Sequence, residues 1–230
     1  MRSVFVVAAL LWIVPAAGYA AGGGGGGGSV GGGGYSGGAD RSKSDEKIAA
    51  RKFDRAKRHL EEAKEAEAKL EGVTDAEERE DLQDDIKDHY EDARDELKGV
   101  VKKQPKSYPA WSELGFSYRK LGEFEDSLEA YDKALAVKAA YAPAIEYRGE
   151  AYLELGRLAE ARGAYDKLTE LDGELADMLL AKMQRWLARQ KTSPSSGVTP
   201  EALAEFESWL VEHKLSDLPP GSVRAAASGW

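Results

Sequence analysis

Cysteine is absent from this 230-residue sequence, and histidine is scarce. The lack of cysteine excludes disulfide bonds, thiolate metal sites and cysteine nucleophiles. The three histidines, His59, His89 and His213, each lie alone on a charged helical segment, and neither a His-Glu-x-x-His motif nor an Asp-rich calcium loop is present. The sequence therefore predicts no metal site and no cofactor.

A surplus of basic residues is also missing, since 32 Lys and Arg stand against 41 Asp and Glu, giving a net charge of −9. Nucleic-acid-binding proteins usually present a basic face, so the charge argues against a nucleic-acid partner. Gly-x-Ser-x-Gly occurs only within the glycine-rich tract of residues 22–38, outside the strand-to-helix context of a nucleophile motif, and no phosphate-binding loop is present in such a context. We therefore predict that the protein is not an enzyme.

Residues 1–20 have the pattern of a secretory signal peptide. Arg2 precedes an apolar run over residues 4–14, and small residues lead to a predicted cleavage point near Ala20. The run is too short to span a bilayer comfortably, although an uncleaved anchor remains an alternative. The predicted location is periplasmic or secreted, with no membrane span after cleavage.

Two further segments precede the repeats. Residues 21–44 are glycine-rich and predict a disordered linker, because glycine has little to bury and loses much entropy on ordering. Residues 45–106 predict a charged helical hairpin, with a helix stop at Gly72 and a helix N-cap at Thr74. The first helix begins basic and the second is mostly acidic, which favours antiparallel pairing.

A repeat with an offset of 34 residues begins near Pro109, and such a period of helical sequence indicates stacked helix pairs. Identical residues recur at Pro109/Pro143, Ala110/Ala144, Gly115/Gly149, Tyr118/Tyr152, Leu121/Leu155, Gly122/Gly156, Ala130/Ala164, Tyr131/Tyr165, Asp132/Asp166 and Lys133/Lys167. The mid-helix glycines predict close helix crossings, and the tyrosines predict ring packing between helices.

This pattern resembles the tetratricopeptide repeat family. The residues that carry the resemblance in the first repeat are Trp111, Leu114, Gly115, Tyr118, Gly122, Phe124, Tyr131 and Ala134, and those in the second are Gly149, Tyr152, Gly156, Ala161 and Tyr165. The second repeat departs at Ile145, Arg148 and Leu168, and neither repeat ends in the usual proline. The module also looks like small exported repeat proteins of Gram-negative bacteria.

The resemblance implies an all-α, helical-repeat solenoid with two full repeats, a degenerate N-terminal repeat that includes the long hairpin, and C-terminal capping helices. Residues 107–190 would hold the repeats and a capping helix, and residues 191–230 a linker, an amphipathic helix and an irregular tail. Within that last segment, Thr199 and Pro200 predict the start of a helix over residues 201–214. This helix could cap the last repeat or fill the groove of the solenoid.

The resemblance also implies a concave face that binds a protein or peptide partner. The positions implied to face a partner are Ser112, Phe116, Arg119, Lys120, Glu146, Glu150, Leu153 and Glu154. They would form a groove with a basic, aromatic end and an acidic end, suited to a segment of mixed charge. Ser112 and Phe116 replace the Lys and Asn that clamp a C-terminal carboxylate in some relatives, which argues against that ligand. The alternative function is structural, with self-assembly through the hairpin or the C-terminal helix, and the oligomeric state stays open.

Overall fold

The computed structural model describes residues 37–194 and 197–216, and every regular element in these ranges is an α-helix. The helices are α1 (Gly37–Leu70), α2 (Ala76–Lys103), α3 (Tyr108–Lys120), α4 (Phe124–Val137), α5 (Ala142–Glu154), α6 (Leu158–Leu171), α7 (Gly173–Thr192) and α8 (Pro200–Ser216). The predicted signal peptide, most of the predicted glycine-rich linker and the tail beyond residue 216 lie outside the described residues.

The helices stack as four successive pairs: α1 with α2, α3 with α4, α5 with α6, and α7 with α8. Each pair also packs against the next, and among the first helices α3 contacts α5 and α5 contacts α7. This is the helical-repeat solenoid of the tetratricopeptide type that the sequence predicts, with α3 to α6 as the two full repeats. The α1–α2 hairpin takes the place of the degenerate first repeat.

The turn inside each full repeat is built by glycine, as predicted. Gly122 and Gly156 have φ of 79° and 69°, a backbone region that side chains with a Cβ rarely adopt. In the first repeat, the amide of Gly122 donates to the carbonyl of Arg119 and the amide of Glu123 donates to that of Tyr118, which forms a Schellman motif. The second repeat forms the same pair of hydrogen bonds.

Close helix crossings explain the two mid-helix glycines. A Cβ on Gly115 would lie 2.7 Å from Cε1 of Tyr131, and a Cβ on Gly149 would lie 2.7 Å from Cδ2 of Leu179. The tyrosines on the second helices, Tyr131 and Tyr165, are buried, whereas Tyr118 and Tyr152 on the first helices are only half-buried. The repeated residues are therefore mainly packing residues.

Helix boundaries differ from the predictions in two places. Helix α1 begins at Gly37, inside the predicted linker, because extending an existing helix costs far less than starting one. Helix α2 is capped by Asp75 rather than by Thr74: the Asp75 carboxylate accepts a hydrogen bond of 3.0 Å from the Glu78 amide. Either residue type can cap a helix, and the sequence alone does not choose between neighbours.

Helix α8 caps the stack. Thr199 Oγ1 accepts a hydrogen bond of 3.2 Å from the Ala202 amide, which confirms the predicted start of this helix. Phe206 lies with its ring centroid 5.9 Å from that of Trp186 on α7, and Trp209 lies 5.4 Å from Tyr165 on α6. The apolar stripe of α8 thus packs against α6 and α7. Of the two roles that the sequence left open, capping the last repeat or filling the groove, α8 has the capping role.

Candidate partner-binding face

The first helices of the four pairs, α1, α3, α5 and α7, form one continuous surface, which we call the first-helix face. Ion pairs connect each helix to the next along it. Glu67 of α1 pairs with Lys120 of α3, Arg119 of α3 pairs with Glu150 of α5 at 3.0 Å, and Glu154 of α5 pairs with Arg189 of α7 at 2.6 Å. The face is therefore held in a defined arrangement from one end to the other.

The eight residues implied to bind a partner all lie on α3 and α5, but they are not equally accessible. Ser112, Phe116, Glu146 and Leu153 are buried, which contradicts a direct partner-facing role for them. Long side chains of neighbouring first helices lie over two of them: Lys64 Nζ of α1 is 5.2 Å from the centroid of the Phe116 ring, and Lys182 of α7 pairs with Glu146. The half-buried residues Arg119, Lys120, Glu150 and Glu154 remain as candidates.

The predicted separation into a basic end and an acidic end is also wrong. The cations of α3 are neutralised by acidic residues of adjacent helices, as in the pairs Arg119–Glu150 and Lys120–Glu67. Lys182 of α7 donates to both Glu146 and Glu150. Opposite charges therefore alternate across the face instead of forming two poles, because ion pairs form between helices that the sequence does not show to be neighbours.

Aromatic rings lie beneath these charges. The ring centroids of Phe116 and Tyr147 are 5.1 Å apart, and the guanidinium of Arg119 lies 5.2 Å and 5.6 Å from them. Lys182 Nζ lies 5.7 Å from the Tyr147 centroid. A cation over a ring face is attracted by the ring quadrupole, so the rings help to fix Arg119 and Lys182.

Burial changes the acidity of two carboxyl groups on this face. Removal of Glu146 from water, reinforced by the negative charge of Glu150, raises the pKa of Glu146 to about 7, although Lys182 and Arg119 act in the opposite direction. Burial also raises the pKa of Glu113, against the influence of Lys64 and Lys57. The inner carboxylates are thus costly to ionise, and their charge depends on their cationic neighbours.

Sequence reasoning missed Tyr147, Lys182, Arg189 and Glu67, which complete the face. Lys182 and Arg189 belong to α7, which the sequence presents only as a capping helix with polar residues outward. Glu67 belongs to α1, which has lost the repeat signature, so no repeat position could be assigned to it. Tyr147 directly follows Glu146, and the helical period alone offers a weak signal for it.

An open cleft of about 360 Å³ adjoins the first-helix face. It lies between α2 and the end of α3, and Ile86, Tyr90, Lys120 and Leu121 contribute to its lining. Lys120 Nζ is 5.4 Å from the Tyr90 ring centroid, so one cation borders both the face and the cleft. The cleft is thus lined by apolar, aromatic and charged side chains.

The structure corrects the view that all three histidines are isolated. One donor atom from each of His59, Glu62 and His89 lies within 4.8 Å of the others, in the hairpin of α1 and α2. The sequence contained a signal for this, because His59 and His89 are each followed three residues later by an acidic residue.

Within the described part of the chain, none of the helices combines the length and the apolar character needed to cross a membrane.

Comparisons with known proteins bear on the repeats. Residues 108–139 and 148–175 each match a tetratricopeptide repeat family model, so the chain contains tetratricopeptide repeats. Neither model describes an enzyme family, and the absence of enzymatic activity stays a prediction. No curated protein matches the chain.

Solved structures to which part of this chain is similar include two of the protein RPAP3. One is the first repeat domain of Spaghetti (RPAP3) bound to the HSP90 peptide SRMEEVD, with 18% identity, a TM-score of 0.46, and coverage of 60% of this chain and 93% of that chain. The other is the first repeat domain of human RPAP3, with 25% identity, a TM-score of 0.41, and coverage of 46% and 84%.

Proposed function

We propose that this chain, a stack of tetratricopeptide repeats, is a protein-interaction scaffold that binds a peptide or protein segment on the first-helix face. The observation that carries the proposal is the row of ion pairs that joins α1, α3, α5 and α7. Charged side chains that are already fixed by their neighbours lose less conformational entropy when a partner binds than free ones do. Such a surface suits recognition more than it suits mere solubility.

The charge pattern indicates the chemistry of the partner. Arg119 and Lys182 already contact carboxylates, so a partner with only acidic groups would have to displace Glu146 and Glu150. A segment of mixed charge can instead exchange ion pairs along the face, supplying an acid and a base together. The outermost pair, Glu154 and Arg189, is the most accessible, with side chains 32% and 62% exposed.

Site-specific photocrosslinking tests where a partner binds. A photoreactive amino acid replaces Glu154 on the first-helix face or, as the matched control, the 73% exposed Glu129 on α4. The proposal expects a defined crosslinked product from position 154 and none of that product from position 129. Equal products from both positions, or a product from position 129 alone, would overturn the assignment of the face.

We further propose that the scaffold acts after export, in the periplasm or outside the cell. Support comes from the pattern of residues 1–20, which lie outside the described residues. N-terminal sequencing of the chain recovered from the extracytoplasmic fraction should begin at Ala21. An intact chain in the cytoplasm would refute export, and an intact chain held in the membrane would favour the anchor.

A further inference from the structure

Two related motifs face each other in the α1–α2 hairpin. His59-Leu-Glu-Glu62 lies on α1 and His89-Tyr-Glu-Asp92 lies on α2, so each histidine is followed at the third position by a carboxylate on the same helix face. The antiparallel register places His59 beside Asp92 and His89 beside Glu62. Each helix thus contributes one imidazole and one carboxylate to the same small region.

The distances between the donor atoms fit a metal ion. His59 Nδ1 lies 3.3 Å and His89 Nδ1 lies 3.5 Å from Glu62 Oε2, and His59 Nδ1 lies 3.8 Å from Asp92 Oδ2. A tetrahedral ion with bonds of about 2.0–2.1 Å separates its donor atoms by about 3.3–3.4 Å. The donor atoms of His59, Glu62 and His89 all lie within 4.8 Å of one another, so one ion can be surrounded once the imidazoles move closer together by up to about 1.5 Å.

An independent observation is that Nδ1 of His59 is buried and makes no hydrogen bond. Its 3.3 Å contact with Glu62 is within ion-pair distance but lacks hydrogen-bond geometry. A buried polar atom without a partner costs free energy unless something satisfies it. A cation between the two groups would satisfy this nitrogen and the carboxylate together.

We propose that His59, Glu62 and His89 form a binding site for a divalent transition-metal ion of the zinc type, with Asp92 or water as the fourth ligand. Imidazole nitrogen suits zinc, copper and nickel, whereas calcium and magnesium prefer oxygen ligands. Three protein ligands and an open fourth position are common for zinc. The side chain of Glu62 is half exposed, so an ion can enter from solvent.

The expected effect of the ion is to tie α1 to α2 where Leu60 and Tyr90, the residues that follow the two histidines, pack in one cluster with Phe116 of α3. Ion pairs such as Lys52–Glu96 already join these helices about two turns away along α1. A ligand that binds only the folded hairpin stabilises the hairpin. The gain grows with the logarithm of the ratio of the ligand concentration to the dissociation constant of the ligand. The metal would therefore fix the first pair of the stack, which lacks the repeat signature.

The test uses the mature chain without an affinity tag, freed of metal with a chelator and then titrated with ZnCl₂. We expect one zinc ion per chain by calorimetry and a rise in the melting temperature, with no such rise from MgCl₂ at the same concentration. His59→Gln and His89→Gln should each weaken zinc binding by at least about tenfold. Glu62→Gln is a second route to the same loss that leaves both imidazoles in place.

The matched control is His213→Gln, which removes the only other histidine, on α8, and should leave zinc binding unchanged. Far-UV circular dichroism checks that each variant is folded. Absence of zinc binding in the wild-type chain would overturn the proposal. So would binding that persists in the folded His59→Gln and His89→Gln variants, or binding that only His213→Gln removes.

Discussion

Gly115 is a residue of low helix propensity that packing requires in the middle of a helix. Glycine in the middle of a helix is less favourable than alanine by about 1 kcal/mol. Alanine is nevertheless unfavourable at this position, because its Cβ would lie 2.7 Å from the ring of Tyr131 on α4. The close approach of α3 and α4 therefore depends on the missing side chain of Gly115. In the same way, the close approach of α5 and α7 depends on Gly149, which faces Leu179.

The first prediction concerns this glycine. Gly115→Ala is expected to lower the free energy of unfolding by about 1–3 kcal/mol, since overpacking against a buried ring outweighs the gain in propensity. Gly163→Ala is the matched control: Gly163 lies within α6, and a Cβ there would meet open space. It should raise stability by up to about 1 kcal/mol. Urea unfolding measures the change in the free energy of unfolding for each variant. Changes of the same sign in the two variants would contradict the close packing at Gly115.

Glu146 gives a prediction about pH. Its pKa is raised to about 7 in the folded protein from an ordinary value of 4.5, so the folded state retains a proton that the unfolded state releases. The retained proton favours the folded state. This contribution to the free energy of unfolding is fully present below about pH 4.5 and is lost as the pH rises through about 7. Glu146→Gln cannot ionise, and its stability relative to wild type should increase by about 2–3 kcal/mol between about pH 5 and pH 8.

Chemical unfolding at several pH values measures this change. The exposed Glu129→Gln variant, measured in parallel, corrects for the removal of one carboxylate elsewhere on the surface. A difference between Glu146→Gln and wild type that is constant or falls with pH would show that the Glu146 carboxyl is not destabilised by burial.

At the scale of the helices, most elements could be predicted because their signals are local. Gly122 and Gly156 end helices through hydrogen bonds to the preceding turn, and Thr199 starts α8 through a bond to the amide of Ala202. The start of α1 at Gly37 could not be predicted, because helix extension there depends on a helix already formed beyond it. The role of α8 was also open, because its apolar stripe fits a groove and an open repeat edge equally well.

Helix α8 provides the third prediction. Phe206 is 1% exposed and packs on Trp186 and Trp209, so Phe206→Ala should lower the free energy of unfolding by about 3 kcal/mol, or less if α8 detaches first. Tryptophan fluorescence should shift to the red as these indoles gain water. Val211→Ala, at a position 54% exposed on the same helix, should change neither quantity appreciably. An unaltered fluorescence spectrum for Phe206→Ala would contradict the capping role.

At the scale of the whole molecule, the sequence predicts the stacking order but not the surface that stacking creates. A repeat period identifies packing residues such as Tyr131 and Tyr165 because they recur, and these are buried. Long charged side chains reach across helices to partners such as Lys182 and Glu67, which lie outside the recognisable repeats. The sequence could therefore place Arg119 and Glu150 on one face, but it could not show that they neutralise each other.

The most direct test of the first-helix face uses the partner that photocrosslinking identifies. Its dissociation constant is measured for two variants of this chain, each with one charge reversed. Arg189→Glu reverses the exposed cation paired with Glu154 on this face, and Lys133→Glu reverses the exposed cation paired with Glu129 on α4. Isothermal titration calorimetry should show binding weakened by at least about tenfold, or 1.4 kcal/mol, for Arg189→Glu and unchanged binding for Lys133→Glu. Equal effects of the two variants, or weakening by Lys133→Glu alone, would contradict the proposed binding face.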